Sequence, residues 1–216
     1  GVLMNLDEIV NKTFEKLKTF KPQVLLPALR AADNEVYGGT IWDDVMNING
    51  CANYQFSTCL VDLLKPKQIV ELGGAMGAWS LCVLHSLPPE SKLYSITVRE
   101  NGKEFMFVVD KYPNFYPIIG DDLELSNWDK FRGKGSVNNV LSKTDIWYFD
   151  ALHSYDHVTK ELNLYSPFFK KDALLLFDDI HLNDEMERVW AEIQDKWETK
   201  DLTDPLHYTG WGIAKI

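Results

Sequence analysis

The chain has 216 residues, of which 45% are hydrophobic and 25% are charged, a balance typical of one sizeable soluble domain. This composition argues against global disorder, and the short apolar runs predict no membrane-spanning helix. Lys and Arg total 22 against 32 Asp and Glu, a net charge of −10. Such a chain repels phosphate backbones, so we expect no nucleic-acid partner.

The three cysteines indicate the cellular compartment. Cys51, Cys59 and Cys82 are odd in number and form no C-x-x-C pair, which suits a reducing environment rather than a disulfide framework. The first residues also show no basic segment followed by an apolar stretch, so no signal peptide is predicted. Together these features predict a cytoplasmic protein.

The first quarter of the chain reads as a helical extension. Apolar residues recur at helical spacing from Leu6 to Phe20, and a second short helix is predicted over 24–32. Residues 35–53 then contain helix breakers such as Gly38 and Gly39. We predict that residues 1–53 form an N-terminal extension with a lid-like loop. A plain packed loop or a homo-oligomer interface is the alternative for 35–53.

Residues 54–216 alternate between helical and strand patterns and are predicted to form the main domain. Helices are predicted at 55–64, 79–86, 105–112, 157–165 and 185–197. Strands are predicted at 68–72, 92–98, 116–119, 146–149 and 173–177, with a final strand or hairpin at 210–216. This alternation predicts an α/β fold with a mostly parallel sheet. In such sheets ligands bind at the carboxyl ends of the strands.

A glycine-rich turn follows the first predicted strand and opens a helix. The stretch Val70-Glu-Leu-Gly-Gly-Ala-Met-Gly77 lets the backbone turn tightly, while helix N-terminal amides face a ligand. It contains neither the dinucleotide pattern G-x-G-x-x-G nor the lysine of a phosphate loop. The alternative is a tight turn that binds no ligand.

Acidic residues and a histidine follow the fourth and fifth strands. Asp150 and His153 come after one strand, and Asp178 and Asp179 come after the next. Carboxylates that converge at one sheet edge repel each other unless a cation joins them or one is protonated. Hard oxygen ligands without cysteine suit Mg²⁺ or another divalent cation rather than structural zinc.

Structural roles are the alternatives for several of these residues. Asp178 and Asp179 could cap the helix that begins near residue 183, and His153 could hydrogen-bond within its loop. His157 and His181 are expected to be structural or solvent-facing, with lining of a substrate pocket as the alternative for His181. For the tryptophans, we predict core positions for Trp190 and Trp197. Trp211 is predicted either to pack in the core or to line the pocket.

The turn resembles motif I of the class I S-adenosylmethionine (SAM) dependent methyltransferases, acidic-x-G-x-x-x-G, with Glu71, Gly73 and Gly77 in its fixed positions. The resemblance implies a Rossmann-like, mostly parallel seven-stranded sheet with helices on both faces. It also implies that the turn, including Gly74, passes under the amino-acid part of SAM.

The resemblance implies further cofactor-binding residues. Thr97 stands at the end of strand two, where the family has a ribose-binding acid, and Glu100 lies three residues later as its substitute. Asp121 lies in a Gly-Asp step that resembles the family's adenine-binding position, with a loop or helix cap as the alternative. Asp150, at the end of strand four, is also predicted to face the cofactor.

The run that begins at Asp150 and continues to the Asp178-Asp179 pair resembles one particular branch of the class I methyltransferases. It is similar to the metal-dependent sugar O-methyltransferases of macrolide biosynthesis and the cephalosporin-hydroxylase-like proteins, over residues 69–216. That resemblance implies that Asp150, Asp178 and Asp179 bind Mg²⁺ or another divalent cation, and that His153 is the base. The acidic pair of these relatives is often Glu-Asp, one methylene longer at its first member.

The chemistry suggests a hydroxyl acceptor. An aliphatic hydroxyl is too weak an acid to ionise at neutral pH, so a divalent metal and a histidine base suit a diol, sugar or catechol-like small molecule. We therefore predict a SAM-dependent O-methyltransferase. One alternative is an NAD-type oxidoreductase, disfavoured by the missing glycine pattern and by Thr97. The other is a non-catalytic SAM-binding domain, disfavoured by the complete set of metal and base residues.

Overall fold

A computed structural model describes residues 4–21, 52–75, 77–98, 111–130 and 137–216. Several predictions fall outside these ranges: the helix at 24–32, the lid-like loop up to residue 51, most of the helix at 105–112, and Glu100. The division at residues 53 and 54 also stays a prediction.

Seven strands form one sheet, as predicted. They are β1 Gln68–Leu72, β2 Lys92–Thr97, β3 Phe115–Ile119, β4 Ile146–Phe149, β5 Leu174–Asp178, β6 Glu198–Asp201 and β7 Trp211–Lys215. The order is β3-β2-β1-β4-β5-β7-β6, and β7 runs antiparallel to both of its neighbours. Because the chain winds outward in both directions from β1 and β4, a crevice opens beyond the carboxyl ends of these two strands.

Helices cover the sheet on both faces. They are α1 Leu6–Thr19, α2 Ala52–Leu64, α3 Ala78–Leu84, α4 Val137–Leu141, α5 Tyr155–Tyr165, α6 Asp184–Lys196 and α7 Thr203–Leu206, with 3₁₀ helices at Leu125–Lys130 and Ser166–Phe168. Asparagine or serine side chains cap the starts of α1, α5 and α6 by accepting a backbone N–H, which fixes where these helices begin.

Two apolar cores lie on opposite faces of the sheet. One joins α1, α2 and α3 to the sheet through residues such as Phe56 and Trp79. The other joins α5 and α6 through Tyr165 and Trp190. Strands buried on both faces have almost continuous apolar sequences, and all five residues of β1 are buried. The packing fixes the carboxyl ends of β1, β4 and β5 side by side.

The C-terminal part differs in detail from the sequence prediction. The helix predicted at 185–197 ends at Lys196, and Glu198–Asp201 form β6. The predicted strand or hairpin at 210–216 is the single strand β7, which lies between β5 and β6. Among the described residues, no helix combines the length and apolar character needed to cross a bilayer.

Candidate functional site

The glycine turn presses against the end of β4. Gly73 has a φ of +93°, and a Cβ at this position would lie 2.0 Å from the carbonyl oxygen of Asp150. Its N–H donates to the carbonyl of Ile96 on β2 at 2.9 Å. A side chain at residue 73 would therefore separate β1 from β4 at the crevice, and only glycine adopts this backbone without strain.

The other motif residues build the floor beneath the crevice. A Cβ on Gly74 would lie 1.9 Å from Ser95 Oγ, and Gly77 has a φ of +78° where α3 begins. The Glu71 side chain is buried below the turn and accepts a hydrogen bond from the Ser80 hydroxyl. Burial raises the pKa of Glu71 to about 7, although the Ser80 hydrogen bond acts in the opposite direction.

A cavity of 450 Å³ lies above this floor. It brings together four of the predicted cofactor-binding residues. Other lining residues were not predicted to bind the cofactor. The residues that line the cavity are Gly73, Ala75, Thr97, Val98, Asp121, Asp122, Leu123, Asp150, Ala151, Leu152 and His157. Asp121 Oδ1 also accepts the N–H of Leu123 at 2.9 Å, so this residue shapes its turn as well as facing the cavity.

The predicted metal and base residues converge next to the cavity. His153 Nε2 lies 3.3 Å from Asp150 Oδ1, and His153 Nδ1 lies 3.3 Å from Asp179 Oδ2. Ligand atoms of Asp150, His153 and Asp178 all lie within 4.8 Å of one another. Residues from the ends of β4 and β5 therefore form one acidic cluster, named here the carboxylate cluster: Asp150, Asp178 and Asp179.

The electrostatics of the carboxylate cluster favour a cation. Burial raises the pKa of Asp150 well above its ordinary value, and the charges of Glu71 and Asp179 raise it further. Burial also raises the pKa of Asp178, with added repulsion from Asp150 and Asp179. Groups that hold protons this firmly have a high affinity for positive charge in general. Carboxylate oxygens in this number fit a divalent metal such as Mg²⁺ or Mn²⁺.

The alternative that Asp178 and Asp179 cap the next helix is wrong. Asn183 caps α6, because its side chain accepts the N–H of Met186 at 2.9 Å. Asp179 instead has a φ of +56°, and its Oδ1 accepts a hydrogen bond from the Thr209 hydroxyl. A left-handed aspartate held by a specific donor indicates a constrained side-chain position rather than a helix start.

Three residues that the sequence did not single out also reach the carboxylate cluster. Asn53, in the first turn of α2, donates from Nδ2 to Asp178 Oδ1 at 3.4 Å. Its Oδ1 is buried and has no hydrogen-bond partner among the described residues. Thr209 binds Asp179, and His207 Nε2 lies 3.9 Å from Asp178 Oδ1. All three lie far from the ends of β4 and β5 in the sequence, and none of them belongs to a recognisable local motif.

The contacts of His207 hold its ring beside Thr209. Its Nδ1 lies 3.2 Å from the backbone nitrogen and 2.8 Å from the hydroxyl oxygen of Thr209, and its Nε2 faces Asp178. Burial lowers the pKa of His207, which favours the neutral ring. His207 thus places a neutral imidazole beside Asp178.

The remaining candidates have structural roles. His181 Nε2 lies 2.7 Å from Asp201 Oδ2, which joins the β5–α6 connection to β6. Trp211 is fully buried and packs edge-on against Phe56, so the core-packing alternative holds for it. Trp190 is buried as predicted, and Trp197 packs against Phe169.

Comparisons with known proteins agree with this fold. A family model described as a methyltransferase domain matches residues 70–180. No curated protein sequence matches the chain.

Three solved structures illustrate the similarity. A methyltransferase from Geobacter sulfurreducens has a TM-score of 0.62 at 14% identity, covering 88% of this chain and 89% of its own. The O-methyltransferase TomG from Streptomyces achromogenes, involved in tomaymycin synthesis and solved with SAM, has a TM-score of 0.60 at 14% identity, covering 99% of both chains. An O-methyltransferase from Bacillus cereus, solved with SAH, has a TM-score of 0.58 at 12% identity, covering 93% of this chain and 99% of its own.

Proposed function

The chain belongs to the methyltransferase-domain family, and its fold is that of the class I enzymes. From this premise we propose that it is a SAM-dependent O-methyltransferase that requires a divalent metal. Its acceptor is a hydroxyl of a small molecule, of the diol, sugar or catechol type.

One observation carries this proposal: Asp150 belongs to two sites at once. It lines the 450 Å³ cavity above the glycine turn, and it is a member of the carboxylate cluster. A cofactor in the cavity and an acceptor oxygen at the cluster would therefore be neighbours. Methyl transfer from an activated sulfonium depends mainly on such positioning of the two reactants.

The cavity suits the cofactor. Gly73 and Ala75 of the turn line the cavity, and so does Thr97 at the end of β2. Asp121 and Asp150 supply negative charge to a cationic ligand. SAM carries its methyl group on a sulfonium, so the methyl is already activated for transfer.

His153 is the proposed base. Its ring stands between Asp150 and Asp179, which hold it at the carboxylate cluster and stabilise the imidazolium that forms when it takes a proton. His207 approaches the cluster less closely, with its Nε2 3.9 Å from Asp178 Oδ1. Of these two histidines beside the cluster, His153 is therefore the proposed proton acceptor.

Asp150, Asp178 and Asp179 are the proposed metal ligands, with Asn53 and His207 holding Asp178 in place. A divalent metal here would supply the positive charge that stabilises a developing oxyanion. TomG and the Bacillus cereus protein are named as O-methyltransferases, which supports oxygen as the acceptor atom. Membership of the methyltransferase family argues against the NAD-type oxidoreductase.

The test combines binding with turnover. Calorimetry should detect SAH binding to the purified protein, and labelled SAM with a panel of sugars, diols and catechols should yield a methylated product. EDTA should abolish transfer, and added Mg²⁺ or Mn²⁺ should restore it. Asp179→Asn should lose turnover while SAH still binds, whereas the exposed α6 variant Asp195→Asn should match the wild type.

Two results would contradict the proposal in different ways. Transfer that persists in EDTA after dialysis would remove the metal requirement. SAH binding without transfer to any member of the panel would favour the non-catalytic SAM-binding domain instead.

A further inference from the structure

A second cluster of metal-binding side chains lies on another wall of the cavity and shares no residue with the carboxylate cluster. His157 and Glu161 are one turn apart on α5, and Asp122 approaches them from the loop after β3. His157 Nε2 lies 3.0 Å from Asp122 Oδ2 and 3.6 Å from Glu161 Oε1. One ligand atom from each residue lies within 4.8 Å of the others.

Glu161 is the unusual member of this cluster. Its side chain is only 1% exposed, and neither carboxylate oxygen accepts a hydrogen bond from the described residues. A buried carboxylate without a donor is unstable unless it gains a proton or a cation. Burial accordingly raises the pKa of Glu161 well above its ordinary value.

The cluster can have zero net charge in two ways. In the first, His157 and Glu161 are both protonated and Asp122 is ionised. In the second, two ionised carboxylates and a neutral imidazole surround one divalent ion, whose two charges balance theirs. The high proton affinity is evident at His157, whose pKa rises to about 10, first through its hydrogen bond to Asp122 and then through the nearby carboxyl group of Glu161. The negative electrostatic potential that raises this pKa also attracts a metal ion.

We propose that Asp122, His157 and Glu161 form a second divalent-cation site, which takes a borderline transition ion such as Zn²⁺, Co²⁺ or Mn²⁺. One imidazole nitrogen with two carboxylates suits these ions better than Mg²⁺. Ligands bound at about 2.1 Å with tetrahedral angles are separated by roughly 3.4 Å. The contacts of 3.0 and 3.6 Å at His157 Nε2 therefore require little movement.

The surroundings hold the ligands in place and leave one side open. The Tyr165 hydroxyl donates to the backbone carbonyl of Asp122, and Trp128 Nε1 donates to the Tyr165 oxygen at 3.0 Å. Burial raises the pKa of Tyr165, with added repulsion from charges that include Asp121, so the phenol stays neutral. Asp122 and His157 line the cavity, where water or a cofactor atom can complete the coordination.

A Co²⁺ titration followed by visible absorption tests this site without any methyl transfer. The experiment uses Asp178→Asn/Asp179→Asn protein, in which the carboxylate cluster is disabled. We expect one equivalent of Co²⁺ to bind with the absorption of a low-coordinate site. Adding Glu161→Gln or His157→Gln should abolish that absorption, while adding the exposed control Glu90→Gln should leave it unchanged.

Proton release provides a second readout. Metal binding should release protons from the cluster, because imidazole and carboxyl groups lose their protons when they bind a metal, and an indicator in weak buffer would measure the release. Circular dichroism would show that the variants fold, and His157→Gln gives a second loss variant should Glu161→Gln unfold. The proposal is overturned if the double variant binds no Co²⁺, or if binding survives both Glu161→Gln and His157→Gln. Neither result depends on whether the protein transfers methyl groups.

Discussion

His207 Nδ1 lies 3.2 Å from the backbone nitrogen of Thr209 and 2.8 Å from its hydroxyl oxygen, and these contacts hold the ring with Nε2 facing the carboxylate cluster. The Thr209 hydroxyl meanwhile binds Asp179. The short segment before β7 thus controls two of the three carboxylates. Residues next to the antiparallel strand β7 therefore contact the carboxylate cluster at the ends of the parallel strands β4 and β5.

His207→Leu should weaken metal binding about 10- to 100-fold, the range typical of residues that orient a metal ligand. The variant removes the ring nitrogen that faces Asp178 but keeps an apolar side chain of similar reach. Calorimetric titration with Mn²⁺ would measure the loss. His207→Gln retains an N–H donor and should recover much of the affinity. Equal losses in both variants would show that the donor is not what matters.

Gly73→Ala should destabilise the protein by roughly 3 kcal/mol or more, because the new methyl meets backbone atoms of Asp150 and φ is positive. Urea denaturation gives this value. Gly120→Ala is the matched control, since the three atoms nearest to its Cβ belong to the side chain of Asn127 rather than to backbone. We expect a smaller loss of about 1 kcal/mol there. A mild effect at residue 73 would mean that the turn can rearrange.

The sequence predicted those parts of the fold whose pattern is local. Strands β1 and β4 match their apolar runs at both ends, because buried parallel strands contain little else. Strand β6 was missed, since Glu-Thr-Lys-Asp at 198–201 is a partly exposed edge without apolar alternation. Its pairing with β7, rather than its own residues, makes it a strand.

The residues of the site also differ in how far the sequence could predict them. Asp150 and Asp178 could be predicted to meet because both end neighbouring parallel strands, and strand ends converge by topology. Asn53 reaches Asp178 across 125 positions of sequence, and only the packing of α2 against the sheet brings it there. The role of His207 depends on a hydrogen bond to backbone, which has no sequence signal.

His153→Gln should lower kcat by about 10²- to 10⁴-fold, the usual contribution of a general base, with SAH affinity unchanged. Glutamine can still hydrogen-bond to Asp150 or Asp179 but cannot take a proton at neutral pH. Steady-state kinetics and calorimetry on the same preparation would separate the two effects. His181→Gln, whose ring contacts Asp201 instead of the cluster, serves as control and should keep full turnover. Wild-type kcat in His153→Gln would remove the base assignment.

Glu71→Gln should change how stability depends on pH. Burial raises the pKa of Glu71 from its ordinary value of 4.5 to about 7, so the folded state favours the neutral carboxyl. Its contribution is fully present below about pH 4.5, declines as pH rises and is lost above about pH 7. Glutamine mimics the neutral form at every pH. At about pH 8 the variant should therefore be more stable than the wild type by about 3 kcal/mol, and near pH 4 the two should be equal.

Urea denaturation at both pH values measures this difference directly. Glu90→Gln is the control, because that side chain is exposed and its removal should change stability little at either pH. If Glu71→Gln were less stable than the wild type at pH 8, the ionised carboxylate would be a net stabilising group. The Ser80 hydrogen bond would then outweigh the burial of its charge.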